Sequence, residues 1–580
     1  MTIFSAELMK NSMTNTISKL WRSPLLAFAL ILFTQCKSSI DLKEELPPFI
    51  GTTNLNFNIQ GLEEAATQIK SNIGSKASIA RSSAVQTTET FVSGTYADAL
   101  ISLEQDRKPV SSSLASSNNK VKATSRKTKA ATSPLPTNTK YRILLLDAQD
   151  NILQNVVGSS GTDPNIPVNL GWTYKWVAFS TNETGSVPDV NSATKRFAKA
   201  DLTNKDILLA SGTISIGAGE NYLSIVLKRQ TARIRARVNV RGMFGTIATD
   251  TKLSIQNNAS TGINPITMGD LDIISGNFVN VGPVNGIVNA ASMVNETVAE
   301  GASVKLASFY TLNTTPIAAK NLKFNFAPLA IVLDDARVRT FNNLTFGAEE
   351  AFTPSIGSSH FATLRLIESP IKINGIMWAR TNLVYDANKL DQYRLKSNPG
   401  GSSSSTKDRD FWNWMAQTPT SATANFDACN ELYPKGTWKM PDLPTWESIN
   451  QPNRKEEVLG LFWGANYGAI WDRDSDYPEN TAYDNNVLYI SYGGFRTEPN
   501  FFGNTSVQES PIGIAAGLIA GGECHYWTST SQNNSRGRAV KAAFTHVGWI
   551  FGWSNITYTS EKKSEGRNVR CVRAKNNPNS

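Results

Sequence analysis

The chain has 580 residues, more than one hydrophobic core usually organises, and this length predicts several domains. Its composition, with 40% hydrophobic and 18% charged residues, excludes wholesale disorder. The net charge of +9 comes from one stretch, because residues 107–142 contain nine lysines and arginines and no acidic residue. The rest of the chain has equal numbers of acidic and basic residues, which argues against a nucleic-acid-binding surface.

The N-terminal residues predict export. A short basic region precedes residues 25–33, an apolar run that is too short for a permanent membrane span and is typical of a signal peptide. Residues 34–36 resemble the lipobox of bacterial lipoproteins, although Gln35 stands where a small residue is usual. The resemblance implies that residues 1–36 are a lipoprotein signal peptide and that Cys36 is lipidated at a Gram-negative outer membrane. The alternatives are an uncleaved anchor and an ordinary signal peptide.

Two polar segments occur in the N-terminal part of the chain after the signal peptide, a tether and a linker or loop. Residues 37–53 are predicted to be a tether, and residues 54–60 then alternate polar and apolar side chains as a half-buried strand does. Residues 107–140 are rich in Ser, Thr, Ala and Lys and have almost no large apolar side chain. Such a segment cannot bury enough surface to offset its ordering entropy, so we expect a basic, disordered linker or loop.

From residue 141 onward the pattern predicts β-structure. Residues 141–146, 175–179 and 222–227 are short apolar runs between turn residues, and residues 232–240 alternate arginines with aliphatic side chains. Short strands joined by Gly, Asn, Thr and Pro turns are typical of β-sandwiches.

Residues 141–370 resemble the fimbrillin family, the lipoprotein pilus subunits of certain Gram-negative bacteria. The resemblance lies in residues 141–147, in residues 174–179 with Asn182, and in residues 227–238.

The fimbrillin resemblance implies a first β-sandwich at residues 54–230 and a second at residues 231–372. It also implies assembly with other fimbrillin subunits by strand complementation, in which a terminal strand of one subunit completes the sheet of the next.

The composition changes near residue 373. Ten of the thirteen tryptophans and three of the four cysteines lie at or after Trp378, which predicts a different fold for residues 373–575. This region is similar to the Fibrobacter-type major paralogous domain of bacterial surface lipoproteins. The matching segments are residues 375–383, 429–447, 526–530 and 568–573.

The second resemblance implies an α+β fold similar to C-type lectins and to formylglycine-generating enzyme. The predicted fold class is therefore mostly β, with one or two fimbrillin-like β-sandwiches followed by an α+β C-type-lectin-like domain.

The cysteines of this last region allow three pairings in an exported protein. Cys429 and Cys571 both lie in segments that carry the resemblance, whereas Cys524 does not, so a Cys429–Cys571 bridge is favoured. It would close a loop of more than 140 residues and stabilise the fold by up to ~5 kcal/mol.

The residues indicate no catalytic chemistry. The sequence has none of the common hydrolase, phosphate-binding or zinc motifs, and its three histidines are isolated from one another. We therefore expect no enzyme activity, no cofactor and no metal. An alternating acidic stretch at Asp472, Asp474 and Asp476, and the Glu498-Pro-Asn sequence, resemble fragments of calcium sites. A solvated acidic loop and a chance tripeptide are the favoured interpretations.

Aromatic residues in turn-rich segments are the candidate ligand contacts. These are Trp549 and Trp553 near the C-terminus, together with Trp471 and Tyr477. Loop aromatics can stack on sugars or anchor a protein partner, and the alternative is that they pack in the core.

Taken together, the resemblances imply a cell-surface fimbrial subunit, with a tip adhesin as the leading hypothesis. Its partners would be other fimbrillin subunits and a glycan or protein ligand on a host, bacterial or matrix surface. It would be held in the outer membrane by lipid, or released into the fimbrium by proteolytic maturation. The alternatives are a stand-alone glycan-binding outer-membrane lipoprotein and a formylglycine-generating-like enzyme.

Overall fold

The chain folds mainly into short β-strands, as predicted from its apolar and polar alternation. The computed structural model describes residues 51–63, 89–93, 96–105, 132–162, 164–257, 262–399, 403–449, 452, 454–455, 468–483, 486–508, 519–547 and 551–574. The predictions for the signal peptide, for lipidation of Cys36, and for most of the tether and of the basic segment lie outside these residues.

Three sets of strands follow one another along the chain. The first set is β1 (Thr52–Glu63), β2 (Thr90–Ser93), β3 (Asp98–Gln105), β4 (Thr132–Ser133), β5 (Lys140–Leu146), β6 (Ile152–Ser159), β7 (Asn165–Asn169), β8 (Thr173–Ser180), β9 (Arg196–Phe197), β10 (Leu208–Ser215) and β11 (Asn221–Arg229). The second set is β12 (Ala232–Gly242), β13 (Gly245–Ile247), β14 (Lys252–Ile255), β15 (Thr267–Asp272), β16 (Phe278–Pro283), β17 (Ile287–Asn289), β18 (Val294–Asn295), β19 (Val304–Thr311), β20 (Lys323–Phe326), β21 (Leu329–Leu333), β22 (Val338–Phe341), β23 (Leu344–Gly347) and β24 (Ser359–Ile367).

The third set is β25 (Ile371–Ile373), β26 (Ile376–Trp378), β27 (Leu383–Tyr385), β28 (Tyr393–Leu395), β29 (Trp438–Lys439), β30 (Arg454–Lys455), β31 (Gly468–Asp472), β32 (Val487–Ser491), β33 (Phe495–Arg496), β34 (Val507–Gln508), β35 (Ile519–Ser531), β36 (Arg536–Val547), β37 (Phe551–Lys562) and β38 (Val572–Arg573). The α-helices are short: α1 (Lys199–Leu202), α2 (Lys407–Asp410) and α3 (Leu443–Glu447). None of the helices in the described residues has the length and hydropathy that a membrane crossing requires.

The first sheet has the strand order β4-β1-β11-β10-β8-β5-β6, and β7 also pairs with β1. The N-terminal strand β1 therefore lies inside the sheet, parallel to β11 on one side and antiparallel to β7 and β4 on the other. Apolar side chains on both faces of β5 are buried, with Ile143 and Leu145 in one core cluster and Leu144 and Leu146 in another. This explains why β5 is a nearly continuous apolar run rather than an alternating one.

The second sheet has the order β18-β19-β12-β24-β3-β2 and packs against the small sheets built from β13, β14 and β20 to β23. The predicted alternation of β12 is confirmed, because Ile234, Ala236 and Val238 are buried in the core between these sheets. Strands β2 and β3 precede the basic segment in the chain, yet β3 pairs with β24 along its length. A boundary drawn at residue 230 therefore does not separate the strands of the two sheets.

The C-terminal module, residues 373–574, is built around tryptophans. Trp378, Trp412, Trp438, Trp446, Trp471 and Trp527 are among its largest fully buried side chains. They belong to two core clusters, which lie under the sheet β25-β26-β38-β29 and the meander β35-β36-β37. Burial of so many large aromatic side chains explains the change of composition at Trp378.

Arginine–carboxylate pairs join the C-terminal module to the second sandwich. Arg241 of β12 makes two hydrogen bonds to Asp391, at 2.6 and 3.0 Å. Arg394 donates to Asp334 at 2.7 Å, and Arg573 of β38 donates to Asp98 of β3 at 2.6 Å. These pairs fix the orientation of the module on the sandwich, because each arginine is largely buried where the two meet.

An aromatic side chain of the module also enters the core of the sandwich. Tyr483 belongs to the core cluster of the second sandwich and lies between the guanidinium groups of Arg339 and Arg380, 4.1 and 3.9 Å from its ring centre. Its hydroxyl accepts a hydrogen bond from the backbone N–H of Ser369. The described residues from 51 to 574 all belong to one compact unit.

Candidate functional site in the C-terminal module

The disulfide between Cys429 and Cys571 is present, which confirms the favoured pairing. Cys429 lies in a short 3-10 turn, where its backbone N–H donates to the carboxylate of Asp427 at 3.0 Å. Cys571 directly precedes β38, and the two Cα atoms are 5.7 Å apart. Both cysteines are fully buried. The bridge therefore joins the first part of the module to its last strand.

The last strand, β38, lies in the interior of a sheet. It pairs with β26 through Trp378 and Val572, and with β29 through Trp438 and Arg573. Both tryptophans are fully buried. Strand β38 is thus paired with another strand of its own module on each of its two edges.

Strands β36 and β37 form a long antiparallel hairpin that contains the aromatic candidates near the C-terminus. Their pairing runs from Arg536 opposite Lys562 to Val547 opposite Phe551. Trp549 falls in the connection at residues 548–550, outside the described residues.

The structure corrects the prediction that Trp553 is a loop residue. Its backbone lies in β37, opposite Thr545. The β-branched and aromatic residues that follow, such as Ile556 and Tyr558, favour a strand here, so the hairpin continues almost to its turn.

The structure also corrects the interpretation of Trp471 as a ligand contact. Trp471 on β31 is 1% exposed and packs in the same core cluster as Trp378 and Trp446. A side chain at this depth stabilises the fold and cannot reach a ligand without rearrangement of the core. Tyr477 is half-buried, and its hydroxyl donates to the backbone carbonyl of Pro370 at 3.3 Å. Burial raises the pKa of Tyr477.

Two carboxylates of the alternating acidic stretch, those of Asp474 and Asp476, are bonded to donor groups of the protein itself. Asp474 accepts hydrogen bonds from the backbone N–H groups of Asn374 and Gly375 at 2.7 and 2.8 Å. Asp476 pairs with Lys372 at 2.5 Å, and the hydrogen bond to this lysine lowers the pKa of the Asp476 carboxyl. The carboxylates therefore close a turn instead of converging on one point as calcium ligands do. Within the described residues, no three His, Cys, Asp or Glu side chains are placed to hold a metal ion.

The Glu498-Pro-Asn sequence lies at the start of the β33–β34 hairpin loop and has a structural role there. Glu498 accepts hydrogen bonds from Lys562 at 2.6 Å and from Ser564 at 2.5 Å, and these bonds lower its pKa. The side chain of Asn500 accepts hydrogen bonds from the backbone of its own turn, at Phe502 and Asn504. Neither side chain is directed at a common ligand position.

The neighbouring residues Cys524 and His525 are both buried and serve the fold. Burial raises the pKa of the Cys524 thiol and lowers the pKa of His525. His525 lies between two carboxylates, with Nε2 3.4 Å from Glu523 and Nδ1 3.9 Å from Glu561. A buried, protonated thiol is a poor nucleophile, so this pair is a weak candidate for catalysis.

Sequence reasoning missed the most exposed aromatic residues of the described chain. Phe501 and Phe502 lie at the apex of the β33–β34 loop and are 97% and 81% exposed. Two adjacent phenylalanines between Asn500 and the turn residues Gly503 and Asn504 were the signal that could have identified them.

Comparison with protein families finds no matching family model, and no curated protein matches the sequence. Among solved structures, the chain is similar to a protein from Bacteroides fragilis whose proposed role is cell adhesion. The two share 15% identity over 49% of this chain and 94% of the other, with a TM-score of 0.28. The chain is also similar to the fimbrial anchor protein Mfa2 from Porphyromonas gingivalis, at 12% identity over 37% of this chain and 77% of the other, with a TM-score of 0.20.

A third similar structure is a protein from Bacteroides uniformis, again with a proposed role in cell adhesion. It has 10% identity over 40% of this chain and 90% of the other, with a TM-score of 0.23. These similar structures thus come from bacterial proteins connected with adhesion and fimbriae, and each similarity is distant.

Proposed function

We propose that this protein is a cell-surface fimbrial subunit that ends the fibre and binds a surface ligand through its C-terminal module. The observation that carries the proposal is the position of β38. A stalk subunit assembled by strand complementation needs a terminal strand that is free to leave. Here the last strand is paired on both edges and its neighbour Cys571 is bridged to Cys429, so the chain has no free C-terminal donor strand in its described residues.

The N-terminal part of the chain supports the proposal that this subunit can accept a strand from another subunit. The N-terminal strand β1 fills a position between β11 and β7, and removing it would open a groove lined by both of these strands. The basic segment at residues 107–129 follows β1 and precedes β4 to β11 in the chain, and it has seven sites for a protease that cleaves after Arg or Lys. The last two basic residues of the 107–142 stretch, Lys140 and Arg142, lie in β5, where Arg142 is buried. A subunit that accepts a strand while β38 stays paired in its own module would end the fibre.

Limited trypsin digestion tests this arrangement. We expect the first cuts at residues 107–129, because the sequence there is rich in small polar residues, and such segments are preferred sites of nicking. The N-terminal fragment should remain bound after cleavage, since β1 pairs in the first sheet and β3 pairs in the second. The two fragments should therefore co-elute in size-exclusion chromatography and separate only in denaturant. Early cuts within residues 232–367 would contradict the proposed arrangement.

Adhesion of cells or purified fimbriae to their cognate surface tests the role of the β36–β37 hairpin. Combined substitution of Trp549→Ala and Trp553→Ala should reduce adhesion at least tenfold with little change in melting temperature, as for aromatic binding hot spots. The matched control is Trp172→Ala, a half-exposed tryptophan in the first set of strands, which should leave adhesion unchanged.

Two results of the adhesion test would contradict the proposal. Loss of about 3–5 kcal/mol of stability in the double variant would identify these tryptophans as core residues. Absence of the wild-type protein from sheared fimbriae would exclude a fimbrial subunit and favour the stand-alone glycan-binding lipoprotein, which a glycan array tests directly.

A further inference from the structure

The β33–β34 hairpin presents an apolar apex on a rigid base. Phe501 and Phe502 are almost fully exposed and contact each other edge to face, with ring centres 5.5 Å apart and an interplanar angle of 86°. Isolated exposed apolar side chains are ordinary on protein surfaces, but two adjacent phenyl rings at the apex of one loop form a continuous apolar projection.

Hydrogen bonds hold this loop in one conformation. The backbone N–H groups of Phe502 and Asn504 donate to the side-chain oxygen of Asn500 at 3.0 and 2.9 Å. The N–H of Gly503 donates to the carbonyl of Asn500 at 2.8 Å, and the N–H of Asn500 donates to the carbonyl of Asn504 at 2.8 Å. Gly503 has a φ of +79°, a left-handed conformation that favours glycine. Four amides of the apex are thus satisfied within the turn itself.

Polar contacts fix the base of the loop to the module. Lys562 pairs with Glu498 at 2.6 Å, and Lys407 donates to the hydroxyl and the carbonyl of Thr505 at 2.8 and 3.0 Å. The backbone of Arg496 exchanges two hydrogen bonds with Gly566. The apex therefore projects from a supported base and is not a frayed segment.

We infer that Phe501 and Phe502 form a membrane-inserting wedge whose partner is the interfacial region of a phospholipid bilayer. A bilayer has no water to satisfy backbone amides below the headgroups, and four amides of this turn, those of Asn500, Phe502, Gly503 and Asn504, are satisfied within it. The phenyl rings would lie at the boundary of headgroups and acyl chains, as apolar side chains of interfacial proteins do. Asn504 and Thr505 would remain at headgroup level, above the half-exposed Lys562 and the partly exposed Lys407.

The geometry favours a bilayer over a protein or a sugar, the other partners that exposed aromatic residues commonly bind. Two phenylalanines bury roughly 300–500 Å², which is below the ~800 Å² per partner of a stable protein interface. The perpendicular rings offer no flat platform of two rings for a sugar. A bilayer requires neither a large area nor a matching pocket.

The wedge is separate from the tip of the β36–β37 hairpin. Glu498, at the base of the loop that holds the wedge, accepts a hydrogen bond from Lys562, at the end of β37 that pairs with Arg536. The connection at residues 548–550 lies at the opposite end of the same two strands. Eleven residue steps of strand, roughly 37 Å, separate these two ends. Loss of ligand binding at one end therefore does not predict loss of membrane binding at the other.

Vesicle co-sedimentation tests the inference. The unacylated chain of residues 37–580 is mixed with phosphatidylcholine vesicles, with and without phosphatidylglycerol. We expect binding to phosphatidylcholine vesicles that is little changed by salt, because insertion of phenyl rings does not depend on charge. Vesicles with phosphatidylglycerol should bind additional chain in a salt-sensitive way, through the basic residues of 107–142. Each of Phe501→Ser and Phe502→Ser should weaken binding about tenfold, and the double variant about a hundredfold.

Control variants distinguish insertion of these two rings from a general effect of surface apolarity or a loss of folding. Tyr222→Ser, which removes a 63% exposed aromatic residue elsewhere, should leave vesicle binding unchanged. Phe501→Leu combined with Phe502→Leu should retain most of the binding, because a bilayer does not select ring shape. All variants should have the wild-type melting temperature, since the two rings have almost no contacts with the core.

Three results would overturn the inference. The first is no binding of the wild-type chain to phosphatidylcholine vesicles. The second is equal binding of the wild-type chain and the double serine variant to these vesicles. The third is self-association of the wild-type chain, detected by light scattering, that the double serine variant loses. This last result would assign the phenylalanines to a contact between two copies of the chain.

Discussion

Replacing Asp98 with alanine should lower the free energy of unfolding by about 3–5 kcal/mol, the usual loss when one partner of a buried ion pair is removed. Asp98 on β3 is buried and accepts a 2.6 Å hydrogen bond from Arg573, whose guanidinium also lies 4.0 Å from the ring centre of Trp438. Burial lowers the pKa of Arg573, and the charge of Asp98 opposes this effect. Without Asp98, the arginine would remain buried with a carbonyl group and an aromatic ring as its remaining favourable contacts.

Urea unfolding followed by tryptophan fluorescence measures this change, because most tryptophans lie in the C-terminal module. The matched control is Glu183→Ala, which removes an exposed pair with Lys205 and should change stability by less than about 1 kcal/mol. An Asp98→Ala effect no larger than the control would contradict the view that this pair joins the module to the sandwich.

Loss of the disulfide by Cys571→Ser should lower stability by about 2–5 kcal/mol, the range for removing a native bridge. The bridge closes a loop with a sequence separation of 142, so its removal gives the unfolded chain much more freedom. Cys429→Ser should have the same effect, and the double variant should add little to either single variant. Urea unfolding with and without a reducing agent provides the measurement.

The reducing agent also supplies the control for this prediction. It should shift the unfolding midpoint of the wild-type protein towards that of Cys571→Ser and leave the variant unchanged. A wild-type midpoint that does not respond to reduction, under conditions where the free thiols are detected, would show that the bridge does not contribute to stability.

Local patterns predicted several features of this fold correctly. The alternation of residues 232–240 predicted which side chains of β12 are buried, because a strand exposes alternate residues to opposite faces. The concentration of tryptophans after Trp378 predicted a region with a different core. The pairing of Cys429 with Cys571 followed from the segments in which the two residues lie.

Features that depend on contacts between distant residues could not be predicted in this way. Trp471 is followed by charged and turn residues, and only the packing of β31 against Trp446 makes it a core residue. The pairing of β3 with β24 joins segments more than 250 residues apart, and a strand of eight residues does not specify such a partner by itself. Arg573 has the local pattern of a surface residue, and its burial depends on Asp98, far earlier in the chain.

The position of the disulfide limits how far the protein can be stretched between its N-terminal end and the β36–β37 hairpin. Residue 549 lies about 120 residues after Cys429 and about 22 residues before Cys571. An unfolded path through the first of these segments could extend by roughly 400 Å, whereas the path through the bridge and the second could extend by only about 75 Å. If the module unfolded under tension, the bridge would keep the hairpin within this shorter length. An adhesive contact at the hairpin would then stay close to the fibre under flow, and the module could refold over a short distance when the tension falls.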